Sequence, residues 1–499
     1  MSDVRLRYTT LVNYTAAILK VIMLTLSAVI VTRKLKPEEY ALWGLVLSLS
    51  GVFISPSQLW RGWSARYARR GYSQAYSTGL FLTLIWLAIA LLIYSILSGV
   101  YGHMLGGLSA YYLLLASPYI AIYILYTFYL SLSNATAPVY SGYSDLTMGF
   151  VKLLLTYALV LVLRMRLEGV ILASTLALIA GILIIVIGLK KNGIKIKGIN
   201  FRLAKAWFRG FPNPLLRTIN TYMINADRSL LPLIVQSEIP LAYLTAAYTA
   251  KLPLQGGFKI TAGLYSRFLR RKRGLDVEET LRLILLPSTF ILFTILAIPA
   301  TLMSVLRPEY VEAYPVFMLA AAFAYINLLH NIFLTTIQAA DTVDARIDFS
   351  LKDLFLSDLF KSTAVNTFRN VAALIFSLLL LATFPHMDYV FIAAVFPLSW
   401  LITTIASIVW MYLKAGKVIK FKFPLKDYIS FLIAGAVTYI YYIACDVHEI
   451  IVASFWQDIP QLILHTVIAA AVYLAVTLLL SKWTRNLLFA IFKKIVEFL

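Results

Sequence analysis

Four charged side chains in this sequence sit where apolar stretches should carry none. Lys20 lies near the middle of the apolar run 11–31, Asp227 and Arg228 midway along 215–236, and Lys251 midway along 241–262. An ionisable group at the centre of a bilayer costs about 2.5–3.5 kcal/mol, so four facing lipid would cost roughly 10 kcal/mol. Such groups belong in a water-filled protein interior. Asn13, Asn220, Asn225, Gln255, Asn327, His330, Asn331 and Gln338 also fall within apolar runs and point the same way. One reading is an internal ion pair that locks helices together. Adjacent residues on a helix project about 100° apart, so Asp227 and Arg228 are not expected to face each other. One carboxylate then neutralises at most one of three cations. The other reading takes the surplus positive charge as a site for an anionic ligand.

The elements that must position these residues follow from composition. The chain has 499 residues, of which 61% are hydrophobic and 13% charged, with a mean hydropathy of +0.82. A soluble domain is roughly 45–50% apolar and about 25% charged. The departure excludes a soluble enzyme, a disordered chain and a nucleic-acid-binding domain, despite the net charge of +21. A spanning helix needs about 20 mostly apolar residues, and that rule yields about fourteen candidate spans. The first six are 11–31, 40–59, 79–97, 111–130, 150–163 (short as drawn, with its start expected near Tyr143) and 169–189. Four follow at 215–236, 241–262, 283–305 and 314–338, and the last four at 362–383, 389–413, 428–446 and 460–481. The fold class expected is all-α and polytopic. With the N-terminus in the cytoplasm, most of the 44 Lys and Arg residues fall in cytoplasmic segments. The positive-inside rule then puts both termini there. Arg5 and Arg7 before the first run imitate a signal peptide, but the run is too long and lacks a cleavage site. The tail 483–499 alternates Leu487, Leu488, Ile491, Ile495 and Leu499 with Arg485, Lys493 and Lys494, which suits an interfacial amphipathic helix.

Other candidates are weaker. One cysteine, Cys445, excludes an intrachain disulfide framework and a cysteine-rich metal site. The five histidines lie in separate segments without ligand spacing, and His330 fits a hydrogen-bonding core residue better than a proton relay. Asp341, Asp344 and Asp348 follow helical spacing among basic residues and read as a solvated face. The glycosylation patterns at Asn13 and Asn134 fall on the cytoplasmic side of this topology. No catalytic residue, metal site or cofactor is expected.

Three stretches together resemble the O-antigen type polysaccharide flippases of the multidrug/oligosaccharidyl-lipid/polysaccharide (MOP) exporter superfamily. They are RKLKPEEYALWGLVLSLSG at 33–51, NADRSLLPLIVQSEIPLAYLTAAYTAKLP at 225–253 and RPEYVEAYPVFMLA at 307–320. Lys36, Ala41 and Ala242 stand where the family usually has glycine. The resemblance implies two six-helix lobes: 1–214 with a basic linker, and 215–426. Two additional helices at 427–482 and the interfacial tail follow. KPEEYALWG and SEIPLAYLT occupy corresponding places in the halves, as parallel repeats would. The resemblance also implies a flippase of a polyisoprenoid-(pyro)phosphate-linked oligosaccharide. Lys20, Arg228 and Lys251 would line a central cationic cavity, with Arg66 near its inner mouth. Asp227 would couple an ion or orient Arg228, and Asn13, Asn220, Asn225, Gln255 and Asn331 would line the polar path. The partners implied are the lipid-linked glycan, membrane lipids and glycan-assembly enzymes, with no nucleic acid. A multidrug exporter of the same superfamily would need acidic groups inside the spans. A membrane-embedded glycosyltransferase or polysaccharide polymerase would need a large external loop with paired carboxylates. An uncoupled scramblase would look the same in sequence.

Overall fold

The computed structural model describes residues 6–69, 71–194, 197–209, 211–255, 274–341, 350–384 and 388–496. Every regular element among them is helical. The first are α1 (Leu6–Lys34), α2 (Pro37–Ile54), α3 (Gln58–Arg69), α4 (Ala75–Leu105), α5 (Gly107–Leu115), α6 (Ser117–Thr136), α7 (Pro138–Leu155) and α8 (Arg166–Lys191). Then come α9 (Phe201–Arg209), α10 (Pro212–Val235), α11 (Ile239–Ala250), α12 (Leu252–Gln255), α13 (Gly274–Ala297), α14 (Pro299–Leu306) and α15 (Tyr314–Ala340). The last are α16 (Leu351–Leu356), α17 (Asp358–Thr383), α18 (Tyr389–Val418), α19 (Leu425–Ala444), α20 (Phe455–Leu480) and α21 (Lys482–Val496). The molecule is an all-α, polytopic membrane protein. Eleven helical segments among the described residues have the length and apolarity to cross a bilayer. α1 and α10, with 29 and 24 residues, are also long enough, and they carry Lys20 and the Asp227–Arg228 pair.

Local chemistry explains where the helices begin and end. α2 starts with Pro37, whose missing N–H costs nothing at a first turn, and the Lys36 N–H donates to Glu39 Oε2 at 2.9 Å. α7 begins well before the apolar run that predicts it, and Thr156–Val162 continues it as a π-helix. The predicted eighth span is broken: α11 stops at Ala250, and α12 restarts at Leu252 after a turn at Lys251. Pro253 explains the break, because it supplies no N–H to the carbonyl one turn back and its ring crowds that carbonyl. α10 closes on Gln236 in the left-handed region (φ 52°).

The chain divides into two compact units. The first comprises Met1–Thr245 and Arg346–Ser399, so α10 and α17 both belong to it. The second comprises Ala246–Ala345 and Trp400–Leu499. In the first unit α1 packs along α7, α7 along α8, and α10 against both α2 and α17. In the second, α13 packs along α19 and α19 along α20. Arg282 bonds Asp427 at 2.8 Å and the Ser481 hydroxyl donates to the same carboxylate at 2.7 Å, which fixes one end of that group.

Candidate functional site

Lys20 has a carboxylate partner that the sequence reading lacks. Its ammonium pairs with Asp145 on α7, and both side chains are largely buried. The Tyr126 hydroxyl approaches the same carboxylate at 3.4 Å. Asn13 and Lys20 are two helical turns apart, so they share one face of α1. Facing them on α7 are Gly142 and Gly149, again two turns apart. A Cβ on Gly142 would collide with Asn13, and one on Gly149 would press on Lys20 and Met23. The glycines let the backbones close on a polar seam, with Asp145 between them. The Asn13 Oδ1 is buried there without a hydrogen bond among the described residues.

A second seam lies on α10. The Ser48 hydroxyl on α2 donates to the Asn225 carbonyl at 2.5 Å, and the Tyr101 hydroxyl on α4 donates to the Ser229 carbonyl at 2.7 Å. Gly51 admits the Asn225 side chain against α2. The Asp227 side chain is 2% exposed, so it faces protein, not lipid. The Arg228 Nε lies 3.9 Å from Asp227 Oδ1. Adjacency was expected to keep these two groups apart; the long arginine side chain turns back, which gives a loose contact. At the other end of α10, Asn220 Oδ1 accepts from Asn366 Nδ2 at 3.1 Å and also from Asn370 Nδ2 on α17. Asn370 Oδ1 in turn accepts from Arg369 Nε at 2.9 Å and Nη2 at 2.7 Å. Arg369 is 5% exposed, so it is not the cytoplasmic loop charge that the orientation count assumed.

Aromatic rings link further cations in this unit. Trp43 packs on Tyr119 with centroids 5.3 Å apart, and Tyr119 stacks on Tyr123 at 5.8 Å. The Lys152 ammonium lies 5.6 Å from the Trp43 ring and within the field of Lys20. Arg61 and Arg228 both act on the Tyr123 hydroxyl. The first unit thus holds Lys20 against Asp145, Lys152 near the Trp43 ring, and Arg61 and Arg228 within electrostatic range of Tyr123. Arg66, one turn beyond Arg61 on α3, has its guanidinium 5.9 Å from the Trp63 ring.

In the second unit Lys251 is 3% exposed. Its ammonium lies 3.4 Å from the Tyr248 ring centroid and 5.2 Å from that of Phe323. A cation over aromatic faces gains about 0.5–2 kcal/mol, more as water is excluded. Lys251 also follows the last residue of α11, where the helix dipole favours positive charge. Asn331 donates to the Asn327 carbonyl on its own helix at 2.8 Å, and His330 is fully buried. The side chain of Gln255, like Asp344 and Asp348, lies outside the described residues.

The sequence reading missed Asp145, Arg61, Lys152 and Arg369. Asp145 had a signal: Lys20 needs a counter-charge, and Asp145 lies just before the predicted fifth span. Arg61 flanks the run 40–59, and Lys152 and Arg369 fall inside the runs 150–163 and 362–383; all three were counted as cytoplasmic charges.

No family model and no curated protein matches this sequence. Solved structures do. The lipid II flippase MurJ in an inward closed conformation superposes with a TM-score of 0.66 at 12% identity, over 96% of this chain and 99% of that one. An inward-facing multidrug resistance MATE family transporter of the MOP superfamily gives 0.59 at 13% identity, over 82% of this chain and 98% of that one. A MOP superfamily transporter from Pyrococcus furiosus gives 0.57 at 13% identity, over 82% and 96%. The fold is that of MOP superfamily transporters.

Proposed function

We propose that this chain is a transporter that moves a polyisoprenoid-(pyro)phosphate-linked oligosaccharide from the cytoplasmic to the outer leaflet by alternating access. The observation that carries the reading is the sign of the charge inside the first unit. Among its described charged groups within the long helical segments and away from their ends, Lys20, Lys152, Arg228 and Arg369 stand against Asp145 and Asp227. A phosphate or pyrophosphate matches that excess; an organic cation does not. The likeness to MurJ, described as a lipid II flippase, runs over 96% of this chain, against 82% for the MATE transporter. The Pyrococcus furiosus transporter is described as having a pocket of reversed polarity, which is taken there to suggest a different function.

In this mechanism Lys20, Arg228 and Lys251 neutralise the phosphate, with Arg61 and Arg66 nearer the cytoplasmic mouth. Asn13, Asn220, Asn225, Gln255 and Asn331 offer hydrogen bonds along the path. Lys20 exchanges Asp145 for the substrate, and Asp227 orients Arg228. Both termini lie in the cytoplasm, so an inside-negative potential drives the anionic head outward by about 2.3 kcal/mol per charge per 100 mV. The test uses sealed proteoliposomes loaded with a short lipid-linked oligosaccharide. A membrane-impermeant glycosidase is added outside. The protected pool should become accessible with the wild type and stay protected with Arg228→Ala. Export of small organic cations without glycan movement would replace this reading with the multidrug one.

A further inference from the structure

We propose that α9 is a docking surface for the anionic phospholipid of one leaflet, held at the bilayer edge and coupled to α3. The inference does not depend on the transported substrate. α9 has two unlike faces. Ala204 and Trp207 are buried, while Phe201, Arg202, Lys205 and Phe208 are exposed. Phe201, Lys205 and Phe208 recur at helical spacing, so two rings flank one ammonium on a single stripe. Ile199 and Phe211, just beyond the helix at either end, are exposed as well.

The level of this stripe is set by α4. Leu84, Ile85, Ile89, Leu92 and Ile96 form an exposed apolar row on that helix, the face that lipid tails must cover. Phe81, at the bottom of the row, meets Phe201 edge to face with centroids 6.0 Å apart. Phe81 lies nine residues from Ala90, the midpoint of α4, or about 14 Å along the axis, roughly half the thickness of the hydrocarbon core. The rings of α9 therefore lie at the hydrocarbon boundary, with Arg202 and Lys205 at head-group height. Apolar rings below and cations beside them complement a lipid that has tails and a negative head.

The helix is clamped in that place. The Asn200 Oδ1 accepts from the Arg202 and Leu203 N–H groups at 3.0 and 3.3 Å and caps α9. The Asn200 amide donates to Gln74 Oε1 at 2.7 Å, and its backbone N–H donates to Thr78 Oγ1 at 2.9 Å. The inward face reaches α3: the Trp207 ring packs on Tyr67 at 6.1 Å, beside Trp60 and Ala75. α3 also carries Arg61 and Arg66, so the lipid bears on the helix of two candidate substrate contacts.

The experiment measures lipids retained by the purified full chain in native mass spectrometry. Phosphatidylglycerol or phosphatidylcholine is supplied from mixed micelles, and glycerol phosphate serves as the soluble competitor. A basic residue near an anionic leaflet contributes about fivefold in affinity. R202Q/K205Q should therefore lose roughly thirtyfold in phosphatidylglycerol retention and little in phosphatidylcholine retention. F201S/F208S should weaken both lipids alike. All four positions are exposed, so the variants should fold, and thermal unfolding verifies that. Equal wild-type retention of the two lipids would overturn the proposal. So would retention unchanged by R202Q/K205Q, or displacement by glycerol phosphate as effective as that by the lipid.

Discussion

Replacing Asp145 by leucine leaves the Lys20 ammonium in the α1–α7 seam without its paired carboxylate. The two side chains are 17% and 14% exposed, so water screens the pair only in part. Removing one partner of a buried pair costs about 3–5 kcal/mol, and the residual exposure sets the expectation at the lower end, about 3 kcal/mol. Lys20→Met leaves the complementary fault, a carboxylate beside Tyr126, and should cost a similar amount. The double variant K20M/D145L removes both charges at nearly constant volume. Apolar replacement of a buried pair is often neutral, so it should recover most of the loss, with a coupling energy of about 2 kcal/mol or more. Denaturant or thermal unfolding in matched micelles measures the cycle, and the leaflet-accessibility assay is run on the same preparations. The reasoning predicts a double variant that is folded but inactive, because stability needs the pair matched and transport needs the cation present. Additive single-variant losses would refute the pairing. A transporting double variant would refute the role of Lys20 in binding the head group.

Glu238, in the turn after α10, is held above the usual carboxylate range. Burial is the main cause and the neighbouring Glu38 adds to it, while a hydrogen bond from Ser109 opposes it. The folded state thus favours the proton: its contribution is present at low pH and is lost as pH rises through the folded value. Glu238→Gln, which still accepts from Ser109, should raise the melting temperature at neutral pH, and the gain should vanish on acidification. Gly51→Val should push Asn225 away from α2 and destabilise by about 1–3 kcal/mol, as read by unfolding. Asn370→Ala removes the acceptor of two Arg369 bonds, with an expected cost of about 1–3 kcal/mol. Restoration by Arg369→Leu in the same chain would tie that loss to the arginine.

What could be read from the sequence depended on whether a residue interrupts an apolar run or flanks one. Lys20, Asp227 and Lys251 interrupt runs, and all three are buried or nearly so in the structure. Asp145 flanks a run. The stretch 138–149 is polar enough to pass for a loop, yet it is helical because α1 and α8 cover it. Arg61 flanks a run as well and was given to the cytoplasm; Arg369 lies inside the run 362–383 but was counted with the cytoplasmic charges before it. Side-chain length carries them inward, and only the positions of Tyr123 and Asn370 reveal it. The break at Lys251 was foreshadowed by Pro253, but hydropathy averages across such a break. The pairing of Asn220 with Asn366 and Asn370 is set by packing between helices far apart in the chain, which no local pattern encodes.

The π-helical stretch Thr156–Val162 bears on how this chain can change length. A π turn holds one residue more than an α turn, and here it closes α7: Leu163 follows in a bend and α8 starts at Arg166. Deleting one residue from 156–162 should let the stretch relax to a regular α-helix with the face of α7 before it unmoved, the change being taken up at its end by 163–165. The same deletion inside α8 would rotate everything beyond it by about 100° and turn a buried face toward lipid. Homologous chains one residue shorter should carry their gap here, and a scan of single-residue deletions along both helices, scored by folded yield, should find its tolerated positions in 156–162.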